Sequence, residues 1–378
     1  MNDRSPSPPI LLTPGPLTTD PAVRQAMQRD WGSRDTAFIA LTTELRRRLL
    51  DVANGRASHA AVPLQGSGTF IVEATIGTLI GPDDRLLVLI NGAYGERMLS
   101  IAGRLGKSAT ALRWPENQAV VPAEVEARLR ADPAITHVAI VHCETTTGLL
   151  NPMEEVATVA ARHGKAFLVD AMSSFGSLPI DVAATPITAV MASSNKCLEG
   201  VPGLGFSLIE KRALEAAAGN NPSLAFDLCA QNKGFETNGQ WRFTPPVQVV
   251  AALVEALRLL EAEGGTAARL ARYRANCKVL CDGMAALGFS LYLPPSLQAP
   301  IIATFHQPAA PWFAFKAFYD RLAERGFLIY PGKLSKADTF RIGCIGALVP
   351  ADFDRLLVAI RAIRDELSAP VREVADAS

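Results

Sequence analysis

The chain has 378 residues, 49% of them hydrophobic and 20% charged, which is enough for two packed cores and unlike a disordered tail or a coiled coil. Lys plus Arg and Asp plus Glu each number 37, so no excess positive field is available to hold a nucleic acid. No apolar run approaches the ~20 residues that cross a bilayer, the polar start 1–9 lacks an apolar signal core, and the six cysteines lack metal-ligand spacing. A cytoplasmic protein with reduced thiols, and with no metal, membrane or nucleic-acid partner, is expected.

Leu41, Leu45 and Leu49 recur at a helical spacing around Arg46, Arg47 and Arg48, which places these arginines on a solvated helix face. Residues 60–64 read as a strand, and after the turn 65–69 the pattern 70–79 reads as a helix. Further strands are expected at 84–90, 137–142, 166–170 and 187–192, with helices between them such as 154–163, capped by Gly164. This alternation predicts an α/β fold with a mostly parallel sheet and helices on both faces. Long helices follow at 247–263 and 268–287, separated by Gly264 and Gly265. Strands at 289–293, 301–305, 327–330 and 339–342, with helices at 312–325 and 351–367, predict a smaller α+β domain. The expected division is an N-terminal segment 1–15, a large domain 16–264, a small domain 265–368 and a disordered tail 369–378, with 1–9 disordered as well.

Four stretches carry chemistry. Leu64-Gln-Gly-Ser-Gly-Thr69 puts small residues at a strand-to-helix turn, where N–H groups and hydroxyls can approach an anion. An ordinary capped turn would read the same way. The motifs of dinucleotide and Walker-type sites are missing, since Ile71 stands where a third glycine would fall and no Gly-Lys-Ser/Thr follows. Asp170 closes an apolar strand, where the ligand crevice of an open α/β sheet is expected and a carboxylate can keep a pyridinium nitrogen protonated; a strand-end acid or a helix cap is the plainer reading. Lys196 follows another strand end and could form an imine with a cofactor aldehyde and shuttle a proton, or be a surface lysine. Arg341 lies inside an apolar strand, suited to a carboxylate or phosphonate, or to a structural ion pair.

Taken in order, these stretches resemble the fold-type I, class V aminotransferases that use pyridoxal 5'-phosphate, and within them the 2-aminoethylphosphonate:pyruvate transaminases. The resemblance runs from Leu12 to about Val358. It is carried by Thr13-Pro-Gly-Pro16, Gln65-Gly-Ser-Gly-Thr69, Asn91-Gly-Ala-Tyr-Gly-Glu-Arg97, His142-Cys-Glu-Thr-Thr-Thr-Gly148, Asp170-Ala-Met-Ser-Ser-Phe-Gly176, Ser193-Ser-Asn-Lys196, Trp241-Arg-Phe-Thr244 and Phe340-Arg-Ile-Gly343. It implies a mostly parallel, seven-stranded-type sheet flanked by helices, with the smaller domain at the C-terminal end.

By the same resemblance Lys196 carries the cofactor and Asp170 pairs with its ring nitrogen. Ser67, Gly68, Thr69 and Asn195 surround its phosphate, Tyr94 stacks on the ring, and Thr145 lies near the phenolic oxygen. Trp241 and Thr244 reach the phosphate of a neighbouring subunit's cofactor, which implies a homodimer, and Arg341 binds the acidic end of both substrates. The implied reaction converts 2-aminoethylphosphonate and pyruvate into phosphonoacetaldehyde and alanine. Two positions depart from the family pattern. An early Asp-x-Cys-Ser-Trp-Asp stands here as Asp30-Trp-Gly-Ser-Arg-Asp35, and Pro245 follows Thr244. These departures leave open a sibling acting on alanine and glyoxylate, on serine or on another aminophosphonate. A non-catalytic cofactor-binding protein and a sulfur-mobilising relative fit the residues less well.

Overall fold

The structure, a computed structural model, describes residues 8–332 and 337–369. The disorder expected for residues 1–7 and 370–378 therefore lies outside the described residues. A short strand, β1 (Ile10–Leu11), is followed by β2 (His59–Gln65), β3 (Arg85–Ile90), β4 (Ser108–Arg113) and β5 (His137–Val141). A two-strand ribbon, β6 (Cys143–Glu144) and β7 (Leu149–Leu150), precedes β8 (Ala166–Asp170), β9 (Ala189–Ser193) and β10 (Leu204–Glu210). The main sheet has seven strands in the order β2-β10-β9-β8-β5-β3-β4, and only β10 runs antiparallel to its neighbours.

The helices in this part are α1 (Pro21–Gln25), α2 (Thr36–Val52), α3 (Gly68–Leu79), α4 (Ala93–Arg104), α5 (Pro122–Ala131) and α6 (Met153–Arg162). After them come α7 (Lys211–Ala216), α8 (Leu228–Asn238), α9 (Val247–Glu263) and α10 (Gly265–Ala286). Alternation along each strand sends Leu87, Leu89, Phe167 and Val169 to the face covered by α2, α5, α6 and α9. The intervening Leu86, Val88, Ile90 and Leu168 meet α3, α4, α7 and α8 on the other face. With both faces covered, a run such as His-Val-Ala-Ile-Val can be apolar throughout, and its interior is buried.

The C-terminal part has its own core. Here β11 (Ile302–His306), α11 (Phe315–Glu324), β12 (Phe327–Leu328), β13 (Tyr330–Pro331), β14 (Thr339–Gly343) and α12 (Pro350–Ser368) pack with α10. The ring of Phe340 lies 5.6–6.2 Å from those of Phe289, Phe305, Phe313, Phe315 and Phe318. Because strand side chains alternate, pinning Phe340 and Ile342 in this core turns Arg341 to the opposite face.

Several expectations change in detail. Residues 289–293 form no strand, only a bridge between Leu291 and Phe305, because Pro294 and Pro295 follow at once and offer no N–H to extend a ladder. The strand expected at 327–330 splits at Ile329, its first half pairing in parallel with β1 and its second half antiparallel with β14. The helix at 312–325 begins only at Phe315, since Trp312 and Phe313 face the aromatic cluster from the preceding turn. The arginines on α2 are not freely solvated: Arg46 donates to the carbonyl of Ala61 and pairs with Glu236 at 2.6 Å, while Arg48 pairs with Glu44 at 2.7 Å.

Candidate active site

The C-terminal ends of β8 and β9, the turn after β2 and the start of α4 surround one cavity of about 440 Å³. Eight residues singled out in the sequence line it: Ser67, Gly68, Thr69, Tyr94, Thr145, Asp170, Asn195 and Lys196. The β2–α3 turn needs glycine twice. Gly66 has φ +127°, and a Cβ on Gly68 would lie 2.7 Å from Met172 Sδ. Ser67 occupies the N-cap position of α3 without a side-chain cap bond, and Thr69 Oγ1 accepts a hydrogen bond from Arg97 at 3.1 Å, so this is not an ordinary hydroxyl-capped turn. The positive end of a 12-residue helix thus opens on the cavity.

Asp170 is 3% exposed and accepts from the N–H of Met172 at 3.0 Å. Burial pushes its carboxyl up to about 7, further helped by the charge of Glu144. It is therefore no exposed strand-end acid. Lys196 lies just past the end of β9, and burial brings its amine down to about 8. Its Nζ donates to the carbonyl of Pro14 at 2.6 Å and to that of Gly15 at 3.4 Å. Gly15, at φ +114°, is pressed against the lysine, and a Cβ there would come 2.8 Å from Lys196 Cδ and overlap the carbonyl of Asn195. The N-terminal segment thus closes over Lys196 while its Leu12 carbonyl accepts from Gly343 N at 2.8 Å, next to Arg341.

Thr145 is buried and shares a 2.5 Å hydrogen bond with Ser173. Arg341 does not line the cavity directly. It is 5% exposed and reaches the cavity wall through a 3.0 Å hydrogen bond from Nη1 to the carbonyl of Thr145. Its Nε donates to Pro331 O at 3.2 Å, and no carboxylate lies within ion-pair distance of it among the described residues. Trp241 and Thr244 are not brought to the cavity within this chain. They line a separate cleft with Ser33, Arg34, Gln240 and Pro245, so both departures from the family pattern meet in one place.

Three residues of the site went unassigned in the sequence. Arg97 lines the cavity with its guanidinium 4.7 Å from the Tyr94 ring centre. Glu144, fully buried, accepts from Tyr94 N at 3.3 Å and from Thr146 Oγ1 at 2.8 Å, and burial raises its carboxyl above the usual range. His142 is buried against Ser174, and burial lowers its imidazole to about 4. Arg97 and Glu144 stood within quoted motifs, but only their neighbours across the fold give them a place.

The donor set fits pyridoxal 5'-phosphate. A helix N-terminus with hydroxyls suits the phosphate, a buried acid suits a pyridinium, and a lysine with a lowered pKa suits the aldehyde.

Comparison with known proteins agrees. The aminotransferase class-V family matches residues 23–322. The 2-aminoethylphosphonate–pyruvate transaminase of Pseudomonas putida (strain W619) is 54% identical over 359 residues, 95% of this chain and 97% of that protein. Among solved structures, the ureidoglycine–glyoxylate aminotransferase of Bacillus subtilis superposes with a TM-score of 0.88 at 25% identity, covering 97% of this chain and 95% of that one. The alanine–glyoxylate aminotransferase of a Nostoc species gives 0.88 at 27% identity over 96% and 97%. Sequence match, fold and cavity together lead to one statement: the chain belongs to the class-V aminotransferases.

Proposed function

We propose that the chain transfers the amino group of 2-aminoethylphosphonate to pyruvate, releasing phosphonoacetaldehyde and L-alanine, a step in phosphonate breakdown. The observation that carries this reading is the buried guanidinium of Arg341, which among the described residues meets backbone carbonyls and an aromatic face but no carboxylate, in a chain 54% identical to a transaminase of that name. An anionic substrate end would complete its coordination.

Pyridoxal 5'-phosphate, when bound, supplies an electron sink and a temporary carrier for the amino group. Lys196 would hold it covalently, Asp170 would take its ring nitrogen, and Ser67, Gly68, Thr69 and Asn195 would take its phosphate, with Tyr94 against the ring and Thr145 toward the phenolic oxygen. Once the substrate's amine has taken its place, the freed Lys196 amine, which burial lowers to about 8, would take the proton from the substrate carbon bearing nitrogen. Arg341 holds the phosphonate in one half-reaction and the carboxylate of pyruvate in the other, since one guanidinium fork fits both. The segment over Lys196 keeps water from the reacting centre.

The same reading makes the enzyme a homodimer in which Trp241 and Thr244 complete the partner's phosphate site. Support comes from their separation from this chain's cavity and from the nearby exposed Phe70 (47%), Leu224 (74%) and Phe243 (47%). We place the boundary between domains 16–264 and 265–368 at Gly264 and Gly265, whose φ values of +110° and +78° end one long helix and begin the next. A cytoplasmic location suits the six unpaired thiols.

The test is the visible absorbance of the loaded protein. 2-Aminoethylphosphonate should discharge the visible band and pyruvate should restore it, with neither change in Lys196→Ala. If alanine or serine discharges the band and the phosphonate does not, the substrate assignment is wrong.

A further inference from the structure

Beneath the Lys196 turn, outside the cavity, lies a buried ionic junction that the chemistry above does not use. Glu199 follows Lys196 by three residues and has a left-handed backbone, φ 61°, a strained setting for a residue with a side chain. Its N–H donates to the carbonyl of Lys196 at 2.8 Å. Its Oε1 accepts from the hydroxyl of Tyr273 at 2.5 Å and from Arg272 Nη2 at 2.9 Å. Arg269 stands 3.6 Å from the same oxygen and donates from Nη1 to the carbonyl of Cys197 at 2.8 Å. Glu199, Arg269 and Tyr273 are 6%, 1% and 0% exposed.

The far side of the junction grips the chain just beyond β14. Arg272 Nη1 donates to the carbonyls of Gly346 at 2.6 Å and Leu348 at 2.9 Å, and Gly346 N donates to the Tyr273 hydroxyl at 3.4 Å. Glu263 balances both arginines, at 2.5 Å from Arg269 and 2.8 Å from Arg272, but it has no hydrogen bond to the Lys196 turn or to the segment after β14. A strained turn persists only where its surroundings over-determine it, and here the determining contacts come from the part of the chain that bears Arg341.

We infer that Glu199 is a positioning residue for the reaction. Through Arg269, Arg272 and Tyr273 it fixes the Lys196 turn relative to the strand carrying Arg341. It thereby sets the distance between the amine that moves the proton and the guanidinium that holds the substrate's anionic end. The inference rests on the roles proposed above for Lys196 and Arg341.

Glu263→Gln supplies the control, because it weakens ion pairs to the same two arginines without itself bonding to the Lys196 turn. Loaded wild type, Glu199→Gln, Glu263→Gln and Tyr273→Phe are compared by melting temperature, by single-turnover rates of the two half-reactions, and by the pH midpoint of the visible band without substrate. Both Gln variants should melt earlier. Of the two, Glu199→Gln alone should slow both half-reactions, roughly 10- to 100-fold as expected for misplaced reacting groups, and displace the pH midpoint. Tyr273→Phe should follow it to a smaller degree, and decides by the same readings if Glu199→Gln fails to fold.

The inference is overturned if Glu199→Gln melts early yet keeps wild-type rates and midpoint, or if Glu263→Gln alters them equally. Failure of the functional reading is separate. It shows as a wild-type band indifferent to the phosphonate, in which case whichever amine discharges the band drives the same comparison and the substrate-free midpoint still reports on the turn.

Discussion

Arg269 and Arg272 face two carboxylates, Glu199 and Glu263, at 2.5–3.6 Å. Burial opposes their charge, but these partners and Tyr273 outweigh it and raise both above the usual arginine range. Arg341 is similarly withdrawn from water, yet among the described residues it meets only the carbonyls of Thr145 and Pro331 and the face of Tyr330. Burial therefore holds it below the usual value, with Tyr94, Tyr330 and Glu144 offsetting that only in part. The first group is neutralised from within and joins two parts of the fold. The second has no such internal partner among the described residues, which is the setting its proposed role at an anion would require.

The largest effect that would break this contrast is on activity. Arg341→Met should lower kcat/KM for the phosphonate and for pyruvate by about 10²- to 10⁴-fold. The melting temperature of the cofactor-free protein should hold or rise, because an uncompensated charge leaves the interior. A large loss of stability with unchanged kcat/KM would make Arg341 structural. Arg272→Met should chiefly cost stability: leaving Glu199 and Glu263 to Arg269 alone should cost about 3 kcal/mol in denaturant unfolding, together with the slower half-reactions expected of a loosened junction.

A smaller effect concerns Asp170, whose carboxyl stands at about 7 in the folded chain. A raised carboxyl pKa means the native state binds its proton more tightly than the unfolded chain. That stability is present below the unfolded value near 4 and is lost as pH climbs through about 7. In the cofactor-free protein at pH 8, Asp170→Asn should therefore be more stable than wild type by about 1–2 kcal/mol, with the gap closing in mild acid, while turnover is lost. Equal melting curves at pH 8 would contradict this buried charge. The smallest expected effect is a profile: cofactor loading should quicken as pH rises through about 8, where Lys196 loses its proton, and then level off. A rate still climbing at pH 10 would mean an ordinary, solvated lysine.

Lys196 and Asp170 were legible as candidate site residues, and both line the cavity, because each stands at or just beyond the end of an apolar strand, and strand ends in an open α/β sheet converge on one crevice. Phe340 and Ile342 likewise announced that Arg341 would be drawn into an apolar region. Arg97 carried no such signal: it meets Tyr94 within one turn of α4, but its hydrogen bond to Thr69 exists only once α3 and α4 lie side by side. Glu144 stood in a quoted motif with no role assigned, and its withdrawal from water is decided by the fold. The short strands β12 and β13 were read as one, because pairing of their halves with β1 and β14 depends on segments far apart in sequence.

By itself, then, the sequence determined the α/β layering, the order of the phosphate turn, acid, lysine and arginine, and the family they belong to, because these follow from local periodicity and from motifs a few residues long. Only the tertiary structure decided which charges are compensated. It set Glu199 against Arg269 and Arg272, left Arg341 without a carboxylate among the described residues, laid Gly15 over Lys196 and moved Trp241 and Thr244 to a different cleft. The physical reason is that burial and counter-charge are properties of surroundings assembled from distant segments, and a pKa or an unmet ion pair exists only within those surroundings.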